Sequence, residues 1–312
     1  IKERESLMSD RLHGFYRFVL GLSKKILIAD VIGFQVDKIL GPSNYDILTS
    51  GQLQDITNKI ASLDSTTAWI VILAFTFQIY FDFAGYSDMA IGLGRMLGFR
   101  FPENFDNPYV STSISEFWRR WHQTFSVFIK NYLYFPLGGS RVKTEARRYF
   151  NLWFCFLVSG LWHGAAWNFV IYGALQGIFI CADKLFLVRW LNKLGRIPSV
   201  IITFAIIVLT RCFFRIERID LSWLFIKRLF AFDFTAFHFS DNPHFYTTMI
   251  IAAFFSFITL SKFGLRWQEK VYFTEYNTKQ HITAFVLSIL GFIFCLGALN
   301  ATGFSPFIYF RF

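Results

Sequence analysis

Two histidines stand among tryptophans and phenylalanines in an otherwise apolar chain. A neutral imidazole is the side chain best placed to take a proton near neutral pH, with a reference pKa of about 6.5. His122 lies in "SEFWRRWHQTFSVF" (Ser115 to Phe128) and His163 in "SGLWHGAAWNF" (Ser159 to Phe169). Each has two readings. His122 is a general base, or an amphipathic ring beside tryptophans at a membrane interface. His163 is catalytic, or it links neighbouring helices by hydrogen bonding, since a titratable ring at bilayer depth needs a partner or a water-filled cavity. No nucleophile motif accompanies them: GxSxG, Walker A and HExxH are all absent. Metal chemistry is not expected. No third ligand stands at metal spacing from the two histidines, and Cys155, Cys181, Cys212 and Cys295 are scattered singly through apolar runs. Asp82 and Asp88 are six apart, on different faces of a straight helix, and suit helix-end capping or a polar groove as well as catalysis.

The elements that must position these groups are helices. At 100° per residue, Trp118, Trp121, His122, Phe125, Phe128 and Ile129 share an arc of about 120°. Glu116, Arg119, Arg120, Gln123, Ser126 and Lys130 fall on the opposite face, with Val127 as the misfit. Ser113 and Glu116 have capping-box spacing at the start of this helix. His163 sits inside a run of 34 uncharged residues between Arg148 and Asp183. As one helix that run would be about 51 Å long, beyond a bilayer core of about 30 Å. It is therefore either one strongly tilted helix or two segments that turn back, with the break near Ser159–Phe169 or near Gly173. Gly160 and Gly164 form a GxxxG step that admits a close neighbouring helix.

Composition carries the same message over the whole chain. The 312 residues are 54% apolar and 21% aromatic, with 42 Phe. Further uncharged runs lie between Asp64 and Asp82, Arg196 and Arg211, Asp241 and Lys262, and Lys279 and Arg311. About seven spans are expected from such runs, with Leu12 to Leu40 amphipathic and interfacial. The fold class is all-α: a polytopic transmembrane helical bundle with re-entrant or interfacial helices, a single membrane domain over residues 1–312. The net charge of +10 does not imply nucleic acid as a partner. Its clusters, at Lys24-Lys25, Arg141 to Arg148, Lys184 to Arg196 and Arg211 to Arg228, sit between hydrophobic runs and read as cytoplasmic loops and headgroup contacts on the bilayer.

"FWRRWH", then "NYLYFPLGGSR", then "GLWHG", in that order, resemble the membrane-bound O-acyltransferases, specifically the bacterial alginate O-acetyltransferase branch. "FDFAGYSDMAIG" and the terminal "FSPFIYFRF" resemble further landmarks of that branch. The related D-alanyl transferase branch also carries "FWRRWH", but "YFPLGGSR" points away from it. The resemblance implies a bundle of about eleven spans whose N-terminal helices are missing from this chain, the C-terminal two thirds of a longer protein. It implies a multi-pass protein of the bacterial inner membrane, with His163 as catalytic residue and His122 as a second functional histidine. Trp118, Trp121, Trp162, Asn168 and Asp82 are substrate-binding candidates beside them. Arg119 and Arg120 either meet the donor's phosphates or form a solvated, headgroup-facing surface.

The implied reaction takes an acetyl group from a cytoplasmic thioester, acetyl-CoA or another acyl carrier, across the membrane to a hydroxyl of an extracytoplasmic polysaccharide or a partner protein. No bound cofactor is expected, and a periplasmic acyltransferase partner is. The competing readings are a transporter or flippase with a histidine proton relay, and a non-catalytic scaffold for a polysaccharide-modifying complex. A transporter usually buries charge within its spans, and the longest runs here hold none.

Overall fold

Every apolar run that falls within the described residues folds as helix, and those residues contain no strand. The computed structural model describes residues 8–42, 44–45, 47–234, 242–302 and 306–307. Of the terminal landmark "FSPFIYFRF", only Pro306 and Phe307 lie within them. In chain order the helices are α1 (Met8–Ser23), α2 (Asp30–Leu40), α3 (Ser50–Ser62), α4 (Ser65–Met96), α5 (Ile114–Arg120), α6 (Gln123–Ile129) and α7 (Glu145–His163). They are followed by α8 (Trp167–Ala182), α9 (Val188–Leu194), α10 (Arg196–Arg215), α11 (Ile219–Leu229), α12 (Pro243–Phe257), α13 (Lys262–Tyr272) and α14 (Thr278–Thr302). Widened π-helical turns join α1 to α2 through Lys24–Ala29 and α8 to α9 through Asp183–Leu187.

Five helices among the described residues are long and apolar enough to cross a membrane: α4, α8 with α9, α10, α12 with its extension to Leu260, and α14. Seven were expected. The α7 helix is short for a span because its first turn carries Glu145, Arg147 and Arg148, leaving too few apolar residues after them. With the family relationship given below, these helices make the chain a multi-pass membrane protein.

The chain divides into two compact units. One comprises α1, residues Phe77–Asn104 of α4 and its exit, and α12 to α14. Within it α1 and α4 touch backbone to backbone. A Cβ added to Gly14 or Gly92 would lie 2.5–2.6 Å from the other's carbonyl oxygen, and one on Gly21 or Gly85 within 2.5–2.7 Å. Only glycine permits that approach. This contact brings Lys24 and Lys25 onto α4, where they meet carboxylates rather than the membrane surface that the sequence assigned them. Lys25 is 2% exposed and its Nζ lies 2.7 Å from both Asp82 and Asp30. Lys24 and Arg17 pair with Asp88, and Arg17 also with Glu103. The physical reason is angular. Consecutive lysines point about 100° apart and carboxylates six residues apart about 120° apart, so each lysine finds its own partner. Charge-free runs do not mark the only buried spans, because paired charges are buried too.

The second unit comprises Gln35–Thr76 and Phe105–Asp241 and holds both histidines. The long uncharged run breaks at Gly164–Ala166 and returns as the α7–α8 hairpin, one of the two arrangements its length allowed. Gly160 and Gly173 face each other, each so close that a Cβ would collide with the opposite backbone. Gly164 instead accommodates the Phe169 ring.

Candidate functional site

The segment that looked like one amphipathic helix is two. Ser113 caps α5 as its spacing predicted, accepting from the Glu116 N–H at 3.1 Å. The Glu116 carboxylate does not complete the box on Ser113. It accepts from the N–H and hydroxyl of Thr112, at 2.8 and 2.7 Å, because Thr112 offers two donors where the cap offers one. The helix ends at Arg120, whose carbonyl accepts from the Asp106 N–H at 2.9 Å. Trp121 turns to extended backbone and drops, 2% exposed, among Phe105, Tyr109 and Phe117, at ring distances of 5.0, 6.2 and 5.5 Å. His122 is then left-handed, with φ 48° and ψ 53°, and starts α6 by accepting from the Ser126 N–H. That conformation costs a non-glycine residue about 1–2 kcal/mol, and burial of the tryptophan offsets it. The shared arc of Trp118, Trp121 and His122 therefore does not exist.

The break aims His122 at α7. Its ring stacks on Phe125 at 5.0 Å and lies 6.2 Å from Trp162. His163, the last residue of α7, lies 5.1 Å from Trp162 and 6.4 Å from Phe125. Both imidazoles thus share the same two aromatic neighbours, and their centroids are no more than about 11 Å apart. Phe169 and Tyr172 of α8 and Phe214 of α10 close the shell around His163 at 6.2, 6.4 and 5.0 Å. Both histidines are half-buried. Burial pushes the His122 imidazole down to about 4, so it is neutral across the physiological range.

The other sequence candidates separate. Trp162 joins the two histidines and stays 56% exposed. Trp118 is buried and donates its Nε1–H to Gln176 at 3.0 Å, while the Gln176 amide donates to Thr210 at 2.8 Å. This link fixes α5, α8 and α10 relative to one another. Asn168 is fully buried and donates to the Phe213 carbonyl at 3.1 Å; its Oδ1 has no hydrogen-bond donor among the described residues. Arg119 is exposed, whereas Arg120 is spent on Glu116 and Asp106. Asp82 belongs to the other unit, where Lys25 neutralises it. No group of three His, Cys, Asp or Glu side chains able to hold a metal occurs among the described residues.

Sequence reasoning missed Tyr172, Gln176, Phe214 and Arg211. Arg211 was assigned to a cytoplasmic basic cluster because it bounds an uncharged run. The helix continues past it to Arg215, and both arginines are 1% exposed. Arg215 pairs with Asp37 at 2.9 Å. The Arg211 guanidinium lies 4.6 Å from the Trp121 ring centroid, 5.8 Å from that of Tyr172 and 5.3 Å from that of Phe214. The available signal was the spacing: two arginines four apart in "TRCFFR" lie on one helical face among apolar residues.

Comparison with known proteins gives the family of the chain. The model of the membrane-bound O-acyltransferase family matches residues 55–214, which include both histidines, Tyr172 and Arg211. The probable alginate O-acetylase AlgI of Azotobacter vinelandii is 36% identical over 255 residues, 81% of this chain and 47% of that protein. The peptidoglycan O-acetyltransferase of Helicobacter pylori is 34% identical over 318 residues, covering 96% of this chain and 56% of its own. The teichoic acid D-alanyltransferase of Bacillus subtilis is 31% identical over 139 residues, 42% of this chain and 34% of its own. The chain spans about half the length of the curated alginate and peptidoglycan relatives it matches. The chain belongs to the membrane-bound O-acyltransferase family, in its alginate O-acetylase-like branch.

Proposed function

We propose that this chain is the catalytic membrane part of an O-acetyltransferase of the bacterial inner membrane. It moves an acetyl group from a cytoplasmic thioester, acetyl-CoA, across the bilayer to a hydroxyl of an extracytoplasmic polysaccharide, and a periplasmic acyltransferase completes the modification. The observation that carries this reading is the pair of half-buried imidazoles sharing Phe125 and Trp162, in a chain of an acyltransferase family. His163, held at the end of α7 by rings from three other helices, acts as general base: it takes the acceptor's hydroxyl proton as the oxygen attacks the thioester carbonyl. Such a contribution is worth about 10²–10⁴-fold. His122 is neutral and positions donor or acceptor. Trp162 walls the site, whereas Trp118, Trp121 and Asn168 hold its frame. Asp82 serves the other unit's ion pairs, and Arg120 the α5 cap. The named acceptors of the relatives, alginate, peptidoglycan and teichoic acid, are all cell-surface polymers, which supports that acceptor class.

The test uses the full-length protein in its host membrane and follows radiolabelled acetyl from acetyl-CoA into extracytoplasmic material. His163→Ala at matched, folded expression is expected to lose at least about 10²-fold in transfer. Unchanged transfer would remove His163 from the chemistry. A transporter would instead move substrate without forming acetylated product, and a scaffold would leave transfer insensitive to either histidine.

A further inference from the structure

A cluster of unspent hydrogen-bond donors surrounds the base. Phe214 has the His163 ring at 5.0 Å, the Tyr172 ring at 5.0 Å and the Arg211 guanidinium carbon at 5.3 Å from its centroid. The three polar groups therefore gather around one apolar ring. Arg211 donates Nη1–H to the Tyr172 hydroxyl at 3.2 Å. Its Nε and Nη2 have no acceptor among the described residues, and none of the carboxylates there forms an ion pair with it. Because the phenolic oxygen accepts from a cation, its own hydrogen is left free to donate elsewhere, and no hydrogen bond uses it among the described residues. A buried guanidinium without a counter-ion is expensive unless something negative is to be stabilised nearby. Donors without acceptors, beside a base, are complementary to an oxygen on which negative charge develops.

We propose that Tyr172 and Arg211 form the oxyanion-stabilising pair of this site: the Tyr172 hydroxyl donates to the thioester carbonyl oxygen, and Arg211 orients and polarises it. This inference rests on the acyltransferase reading above. The acceptor oxygen bonds to the carbonyl carbon, the C=O π pair moves onto the carbonyl oxygen facing Tyr172, and the hydroxyl proton passes to His163. Collapse reforms C=O, breaks the C–S bond and returns the His163 proton to the departing thiolate. Arg211 is a positioning residue, acting through Tyr172. Trp121 holds the guanidinium from its other neighbour shell at 4.6 Å, which gives the backbone break at His122 a second consequence.

The experiment measures kcat and KM for radiolabelled acetyl-CoA with the full chain in host membranes, for wild type, Tyr172→Phe, Arg211→Gln, Arg211→Lys, the Tyr172→Phe/Arg211→Gln double variant and His163→Ala. Melting temperatures in detergent confirm that each variant is folded. Tyr172→Phe is expected to lower kcat by about 10²–10³-fold, the cost of one oxyanion donor, with KM unchanged. Arg211→Gln should do the same, Arg211→Lys should recover part of the loss, and the double variant should be no worse than the poorer single one. Wild-type kcat in Tyr172→Phe, a raised KM at unchanged kcat, or fully multiplicative losses would overturn the proposal. If those results accompany a dead His163→Ala, the base survives and only the oxyanion assignment falls. If wild-type membranes transfer no acetyl, both fall together.

Discussion

At the scale of single residues, His122 shows how burial is converted into pH dependence. Its imidazole titrates near 6.5 in an unfolded chain and near 4 when folded. The unfolded state therefore binds the proton first as pH falls. The contribution to stability is complete above about pH 6.5 and is lost progressively down to about pH 4, on the order of 3 kcal/mol. His122→Gln carries no titrating group, so its melting temperature should fall less steeply between pH 6.5 and 4.5 than that of wild type. Parallel pH profiles for the two proteins would refute the assignment. The left-handed backbone at the same residue has a separate consequence. His122→Gly would relax the conformation and keep the turn, yet abolish whatever the ring does, so fold and chemistry can be separated at one position.

At the scale of elements, two devices hold the site together. The first is the glycine contact between α7 and α8. Gly173→Leu must push the hairpin apart, and overpacking of this kind costs about 1–3 kcal/mol. A lowered melting temperature and loss of transfer are expected, because His163 ends one arm and Tyr172 lies on the other. The second is the Trp118–Gln176–Thr210 chain across α5, α8 and α10. Gln176→Leu keeps the volume but strands the buried indole N–H, at a cost of about 1–3 kcal/mol. If Gln176→Leu melts with wild type, the hydrogen bond contributes nothing. The α7–α8 turn was half legible in the sequence: a 34-residue uncharged run exceeds a bilayer core, which leaves a strong tilt or a turn, and the structure takes the turn. The break at His122 was not. Its cause is the pocket formed by Phe105, Tyr109 and Phe117, and helical periodicity knows nothing of that distant partner.

At the scale of the whole molecule, Lys25, Asp82 and Asp88 are buried as ion pairs. Lys25→Met leaves Asp82 buried with its closest cation removed, which is expected to cost about 3–5 kcal/mol. Adding Asp82→Leu should recover much of it, since two apolar side chains need no partners. A double variant as unstable as Lys25→Met alone would show that packing, not charge, dominates there. The same network removes an argument used against a transporter, since α4, a span by length and apolarity, buries two carboxylates. Each carboxylate is matched by a lysine or arginine, as a static support requires.

Local pattern and composition encode an all-helical membrane chain, a longest apolar run too long for one untilted span, two histidines in aromatic surroundings, and a family order of motifs. These depend on hydrophobic runs and on near neighbours in the chain, so each can be read without knowing what lies opposite. Which charges are buried, and what the histidines face, was decided by tertiary structure alone. Arg211 and Lys25 look like surface cations in sequence because most of what shields them lies far along the chain. Trp121, Tyr172 and Phe214 bury the one, and Asp82 and Asp30 the other, from positions tens of residues away or across a single helical turn. The energy of a charge depends on its surroundings in space, and only the fold supplies them.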